Sequence, residues 1–156
     1  MAHLVYLTAA IPDRNQSIDE AAAATEGQTD VLGSLIPVAG PAGSIVLDPD
    51  QAIAALFHDC SEERAHKAAS QLRPMNPVVR SQPLTTAAWR DVPSTLVQGS
   101  QDRMPAILAP AFRDRNPEVI TLPTGHCPNW SRPELVAELL LSRAEKIAAA
   151  FDQRPS

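Results

Sequence analysis

Glu118-Val119-Ile120-Thr121-Leu122-Pro123-Thr124-Gly125-His126 sets a short apolar run directly against a Pro/Gly turn that carries a histidine. The run reads as a strand over 118–122, ended by the turn. Upstream, Thr95-Leu96-Val97-Gln98 has the same character and stops at Gly99-Ser100-Gln101-Asp102. Between the two, residues 105–115 read as a helix. Downstream, Ser131-Arg132-Pro133-Glu134 opens a last helix, with Leu135, Val136, Leu139, Leu140, Ile147 and Phe151 on one face at the 3.6-residue period. Strand, helix, strand, helix with apolar strands predicts an α/β domain. Its sheet is parallel, covered by helices and joined by right-handed crossovers.

The start of the chain adds a third strand. Leu4-Val5-Tyr6-Leu7 begins an apolar run over 4–9 that reads as buried and ends at Ile11-Pro12-Asp13. Ser17 is an N-cap with Glu20 at the capping-box spacing, which predicts a short helix through Glu26. Leu35-Ile36-Pro37-Val38 and Ile45-Val46-Leu47, either side of Gly40-Pro41-Ala42-Gly43, form a hairpin signal. Asp48 with Pro49 starts a helix through Phe57, and Ser61-Glu62-Glu63 starts another that stops before Pro74. Residues 74–94 are punctuated by proline and read as irregular, with a helical turn at 85–89. The tail after Asp152 is expected to fray.

Composition bounds the function. The chain has 156 residues, and 44% are hydrophobic, too many for a disordered polymer. Aromatic residues make up only 4% and prolines number 15, so the core rests on aliphatic side chains joined by stiff connections. A formal charge of -5 argues against nucleic-acid binding. No apolar run reaches the roughly 20 residues that cross a bilayer, and the N-terminus lacks the charged region of a signal peptide. Two cysteines, Cys60 and Cys127, cannot make a disulfide framework. A soluble, cytoplasmic domain that faces a small molecule or another protein is expected, with no nucleic-acid or membrane partner.

In a parallel sheet, ligands bind beyond the carboxyl ends of the strands. Asp102 and His126 both follow such ends, and adjacent strands bring them within about 5 Å. There a carboxylate could accept from an imidazole and fix its tautomer. Spacing alone leaves a plainer reading open, with Asp102 a turn residue and His126 a loop histidine.

Several longer stretches sharpen the reading. Ala2-His3-Leu4-Val5-Tyr6-Leu7 with Ile11-Pro12, Phe57-His58-Asp59-Cys60-Ser61, Leu72-Arg73-Pro74, Ala88-Trp89-Arg90-Asp91-Val92-Pro93-Ser94-Thr95, Asp102-Arg103, and Thr124-Gly125-His126-Cys127-Pro128 with Ser131-Arg132-Pro133-Glu134-Leu135 occur in order along the chain. Together they resemble the α/β-hydrolase family, in the bacterial esterase-like branch related to plant hydroxynitrile lyases and methyl esterases. The resemblance implies the C-terminal half of that fold: about three parallel strands with flanking helices and a helical cap insertion. Residues 1–12 would be core strand and turn, 13–94 cap and connection, and 95–156 the strand-helix-strand-helix unit. It implies Asp102 as the acid and His126 as the base of a triad, and esterase or lyase chemistry without a cofactor. Thr8, Phe57 and Trp130 are expected at the substrate pocket.

The family's nucleophile elbow, Gly-x-Ser-x-Gly, is not found. The glycines are Gly27, Gly33, Gly40, Gly43, Gly99 and Gly125, and no two flank a serine at that spacing. A His-Gly oxyanion loop is missing too. The resemblance places both upstream of Leu4, so the 156 residues are expected to be inactive as an esterase by themselves. The partner is then a small-molecule substrate together with an N-terminal half, or a second copy pairing through the strand at 4–7. A non-catalytic binding or oligomerising module is the alternative.

Other residues have plainer accounts. Cys127 adjoins His126 but sequence neighbours on a loop rarely face each other. His58, Cys60, His126 and Cys127 lack the spacing of a zinc set, and no metal is expected. His66 reads as solvated, Trp89 and Trp130 as packing anchors, and Glu62-Glu63 with Asp48 and Asp50 as helix starts.

Overall fold

The computed structural model describes residues 3–25, 37–104 and 106–152. In chain order the elements are β1 (Leu4–Leu7), α1 (Ile18–Ala23), β2 (Pro37–Ala39), β3 (Ile45–Leu47), α2 (Pro49–Leu56), α3 (Glu62–Ser70), α4 (Val78–Ser81), β4 (Ser94–Gly99), α5 (Pro110–Asp114), β5 (Glu118–Leu122), α6 (Pro128–Ser131) and α7 (Pro133–Asp152). Single 3-10 turns lie at Pro41–Gly43 and Ala88–Arg90. Among the described residues no helix is long and apolar enough to cross a membrane.

The main sheet has the order β1-β4-β5 and is parallel throughout. The register pairs Leu7 with Val97 and Gly99 with Leu122, so the carboxyl ends of all three strands finish side by side. Val97 is fully buried at the centre. The strand at 4–9 is shorter than the sequence suggests. Thr8 takes φ 45, which ends the extended run after Leu7. All four residues of β1 are half-buried rather than buried, because β1 pairs with β4 alone among the described residues. The β2–β3 pair is the expected antiparallel hairpin, with Val38 opposite Val46. Leu35 and Ile36 lie outside the described residues, as do Glu26 and residues 153–156.

One face of the sheet packs on α5. Phe112 is 1% exposed and meets Tyr6 and Trp89 edge to face, at 5.9 and 5.4 Å between ring centroids. The Trp89 indole N–H donates to the Pro12 carbonyl at 3.1 Å, so its one polar atom is satisfied inside the core. Ile11, Leu96 and Ala109 complete this cluster.

A second cluster builds the cap. Ala52, Ala55 and Leu56 of α2 pack with Ala65 and Ala68 of α3, and Phe57 and Met104 belong to the same cluster. Alanines three and four apart give each helix a small flat face, so the two axes can approach closely. The start signals are met: the Asp48 carboxylate accepts from the Gln51 N–H at 3.0 Å, and Ser17 with Glu20 forms a full capping box.

Three helical expectations change. The helix expected over 105–115 is confined to Pro110–Asp114. Residues 107–109 are extended instead, held by the Ile11 N–H donating to the Ile107 carbonyl and the Ala109 N–H donating to the Ile11 carbonyl, both at 2.8 Å. Ala109, before a proline, is pushed out of the helical region, and Pro110 then starts the helix at the position that needs no N–H. At the last helix, Arg132 likewise precedes proline and adopts φ -140, which separates α6 from α7. Of its predicted apolar face Val136 is buried, Leu135, Leu139 and Ile147 are half-buried, and Leu140 is 46% exposed. In the segment 74–94 the turn expected at 85–89 forms at Ala88–Arg90, and a further helical turn forms at Val78–Ser81.

Candidate active site

Two turns at the carboxyl edge of the sheet carry Asp102 and His126. After β4 the chain folds back, with the Ser100 N–H donating to the Leu122 carbonyl at 2.8 Å and the Gln101 N–H to the Thr124 carbonyl at 3.0 Å. These bonds tie the turn after β4 to the turn after β5. Gly99 makes that approach feasible: a Cβ there would lie 2.3 Å from the Thr124 carbonyl oxygen and 2.5 Å from that of Gly125. The Asp102 Oδ1 accepts from the Met104 N–H at 2.8 Å, which fixes the carboxylate within its own turn.

Asp102 and His126 meet. The imidazole Nδ1 lies 3.0 Å from Oδ2 and 3.2 Å from Oδ1, a geometry in which Nδ1–H donates to the carboxylate. Their side chains are 15% and 24% exposed, so the pair is sheltered but open to a ligand. Nε2 is thereby left as the ring nitrogen available for proton transfer. The pair lines a cleft of about 370 Å³ that also takes in Thr8, Ser100, Met104 and Ile107. That volume suits a small ligand.

Thr8 reaches the site from β1. Its hydroxyl donates to the His126 carbonyl at 2.7 Å and its N–H to the Val97 carbonyl at 2.9 Å. A β-branched residue at positive φ is strained by about 1–3 kcal/mol, and these two bonds hold it there.

Phe57 and Trp130, expected at the substrate pocket, do not line this cleft. Phe57 is 6% exposed inside the cap cluster, and Trp130 packs against that same cluster. The Trp130 indole N–H donates to the Arg64 carbonyl at 3.1 Å, while the Arg64 guanidinium donates back to the Trp130 carbonyl. Met104 is the residue that both cap and cleft share.

The dipeptide His58-Asp59, between α2 and α3, reaches both turns through contacts that the sequence does not indicate. The His58 Nε2–H donates to the Gln101 carbonyl at 2.9 Å, and the Asp59 Oδ2 accepts from the Gly125 N–H at 2.6 Å. The other Asp59 oxygen is buried without a hydrogen-bond partner, at a cost of about 1–3 kcal/mol. Gly125 has no room for a side chain: a Cβ would sit 2.7 Å from that oxygen and 2.8 Å from the His58 ring. The Arg103 guanidinium adds a bond to the Ala54 carbonyl of α2 at 2.8 Å. The one available signal was a glycine directly before the histidine.

Cys127 is unsuited to act as a nucleophile. Burial, and then the Asp102 and Asp59 carboxylates, push its thiol up to about 11, so it stays protonated near neutrality. Burial raises Cys60 as well. Among the described residues no group of three or more His, Cys, Asp or Glu side chains is placed to hold a metal ion.

A three-stranded parallel sheet with a helical cap and an Asp-His pair at its carboxyl edge defines the later portion of an α/β-hydrolase fold. The chain belongs to the alpha/beta hydrolase family, whose model matches residues 1–139. Among solved structures it is similar to a pyrethroid hydrolase from Sphingobium faniae JZ-2, with 19% identity and a TM-score of 0.65 over 92% of this chain and 61% of that one. It is similar also to polyneuridine aldehyde esterase, at 20% identity and TM-score 0.65 over 92% and 62% of the two chains. Tomato methylketone synthase I matches at 20% identity and TM-score 0.64, over 92% and 60%. The chain thus spans about three fifths of the length of these structures. No curated protein sequence matches it.

Proposed function

We propose that Asp102 and His126 are the acid and base of an esterase-type hydrolase acting on small esters or related carbonyl compounds. The observation that carries this reading is the 3.0 Å Nδ1–Oδ2 contact in a residue pair that lines a ligand-sized cleft. The names of the similar structures, a hydrolase and an esterase, agree with it.

In this mechanism Nε2 of His126 takes the proton of an attacking serine hydroxyl as the oxygen bonds to the substrate carbonyl carbon. Asp102 stabilises the resulting imidazolium and holds its tautomer. The imidazolium then returns the proton to the leaving alkoxide as the C–O bond breaks, leaving an acyl-enzyme. Water repeats the cycle to release the acid.

The serine and the oxyanion donors come from outside these 156 residues, which hold no Gly-x-Ser-x-Gly. Each missing oxyanion donor alone is worth about 2.7–4 kcal/mol. The chain by itself is therefore expected to hydrolyse p-nitrophenyl acetate no faster than buffer. Turnover by the chain alone that His126→Ala abolishes would refute this requirement. Joined to the nucleophile-bearing first half of the Sphingobium faniae enzyme, it is expected to turn over, with a loss of about 10³-fold or more on His126→Ala. A folded, active chimera indifferent to that substitution would sink the role of the pair.

A second reading rests on β1. Its outer edge is unpaired among the described residues and offers main-chain donors and acceptors to another strand. In this reading the chain is a non-catalytic module that pairs through residues 4–7 with a second copy. Gel filtration separates the two: a stable monomer at high concentration removes the second reading.

A further inference from the structure

The cap touches the acid and base turns at more points than packing needs. Three hydrogen bonds join the α2–α3 region to the turns that hold Asp102 and His126: His58 to the Gln101 carbonyl, Asp59 to the Gly125 N–H, and Ala54 through its carbonyl to Arg103. Two end on the Asp102 turn and one ends on the residue immediately before His126. The Gly125 N–H is taken by a side chain 66 positions away rather than by the turn's own backbone. Asp59 accepts that bond although its second oxygen goes unpaired, an arrangement that packing alone disfavours and a positional role explains. The close approach at Gly125 leaves the base turn no slack towards the cap.

We propose that Asp59 is a positioning residue for His126, acting through the Gly125 N–H, while His58 acts likewise on the Asp102 turn through the Gln101 carbonyl. The cap dipeptide thereby sets the distance between acid and base. The inference rests on the reading of Asp102 and His126 as an acid–base pair.

Nuclear magnetic resonance on the full chain tests this without any need for turnover. The His126 Nδ1–H bonded to Asp102 is expected to give a low-field proton signal, and the Gly125 amide is expected to exchange slowly. Asp59→Ala is expected to speed exchange of both protons about tenfold or more, while the amide of Val97 in the centre of the sheet stays protected. Asp59→Asn keeps a carbonyl oxygen to accept the same N–H and is expected to restore both. Unchanged Nδ1–H exchange in Asp59→Ala would overturn the proposal, as would failure of Asp59→Asn to restore it. A loss of Val97 protection would mean that Asp59→Ala unfolds the chain. His58→Ala then decides: faster Nδ1–H exchange supports the positioning role and no change overturns it. Absence of the low-field signal in the parent chain would instead refute the acid–base pair itself, so the two failures are distinguishable.

Discussion

Gly99→Ala tests how tightly the two turns are interlocked. The added Cβ would lie 2.3 Å from the Thr124 carbonyl oxygen and 2.5 Å from that of Gly125. Ordinary carbon–oxygen contacts close at about 3.3 Å, so the base turn must retreat by about 1 Å or the end of β4 must bend. Both obstacles are backbone, which cannot swing aside as a side chain can. A retreat of that size stretches the 3.0 Å Asp102–His126 contact beyond hydrogen-bond range. Overpacking of this kind costs about 1–3 kcal/mol, and a chain of this length loses about 2–4 °C per kcal/mol. The expected fall in Tm is therefore about 2–12 °C, read by circular dichroism. Gly125→Ala is the internal comparison. Its Cβ falls short by about 0.6 Å against the Asp59 side chain, which can turn, so its loss is smaller. A Gly99→Ala chain that melts within about 1 °C of the parent, or a reversed order of the two variants, would refute the reasoning.

Two further outcomes follow from the titrating groups. With its thiol pushed up to about 11, Cys127 holds about 10²-fold less thiolate at pH 8 than an ordinary cysteine. Its alkylation by iodoacetamide, followed by peptide mass spectrometry, is expected to be slower by that factor; labelling at the rate of free cysteine contradicts the burial argument. The Arg143 hydrogen bond, aided by one from Thr95, holds Glu118 below the usual carboxylate range. Its folded-state value is lowered, so its stabilising contribution is full above the unfolded value of about 4.3 and is lost as pH falls through the folded one. Arg143→Met is expected to lower the urea midpoint at pH 7 and to narrow the difference between the midpoints at pH 7 and pH 3; an undiminished difference counts against the pairing.

What the sequence revealed follows the range of the interactions. Strand β5, the turn at Asp102 and the histidine loop are encoded locally, by apolar runs that end in Gly, Pro and Asp, and these elements carry Asp102 and His126. The α2 start was legible for the same reason, because Asp48 and Pro49 are adjacent to the turn they cap. Residues 107–109 are extended rather than helical because their backbone partner, Ile11, comes from the far end of the chain. No periodicity reports such a bond. Phe57 lies in the cluster formed by α2 and α3, and Trp130 packs against it, contacts that no local pattern reports. Asp59 was passed over since nothing local distinguishes an aspartate that ends on a glycine N–H 66 residues away. Only the glycine itself hinted at a crowded neighbour.

Three side-chain contacts converge on the turn that holds His126, and they close chain loops of very different length. Asp102 reaches His126 across 24 residues, Asp59 reaches Gly125 across 66, and Thr8 reaches the His126 carbonyl across 118. Loop-closure entropy grows as the logarithm of loop length, so the Thr8 contact costs about 1.4 kcal/mol more to close than the Asp102 contact. Asp102 and His126 thus share the shortest of these tethers, and Asp59 and Thr8 hang on the longer ones. A single proteolytic nick in the mostly exposed stretch 73–86 would divide them unevenly. One fragment would inherit Asp102 and His126 together, and the other would carry off both Thr8 and Asp59.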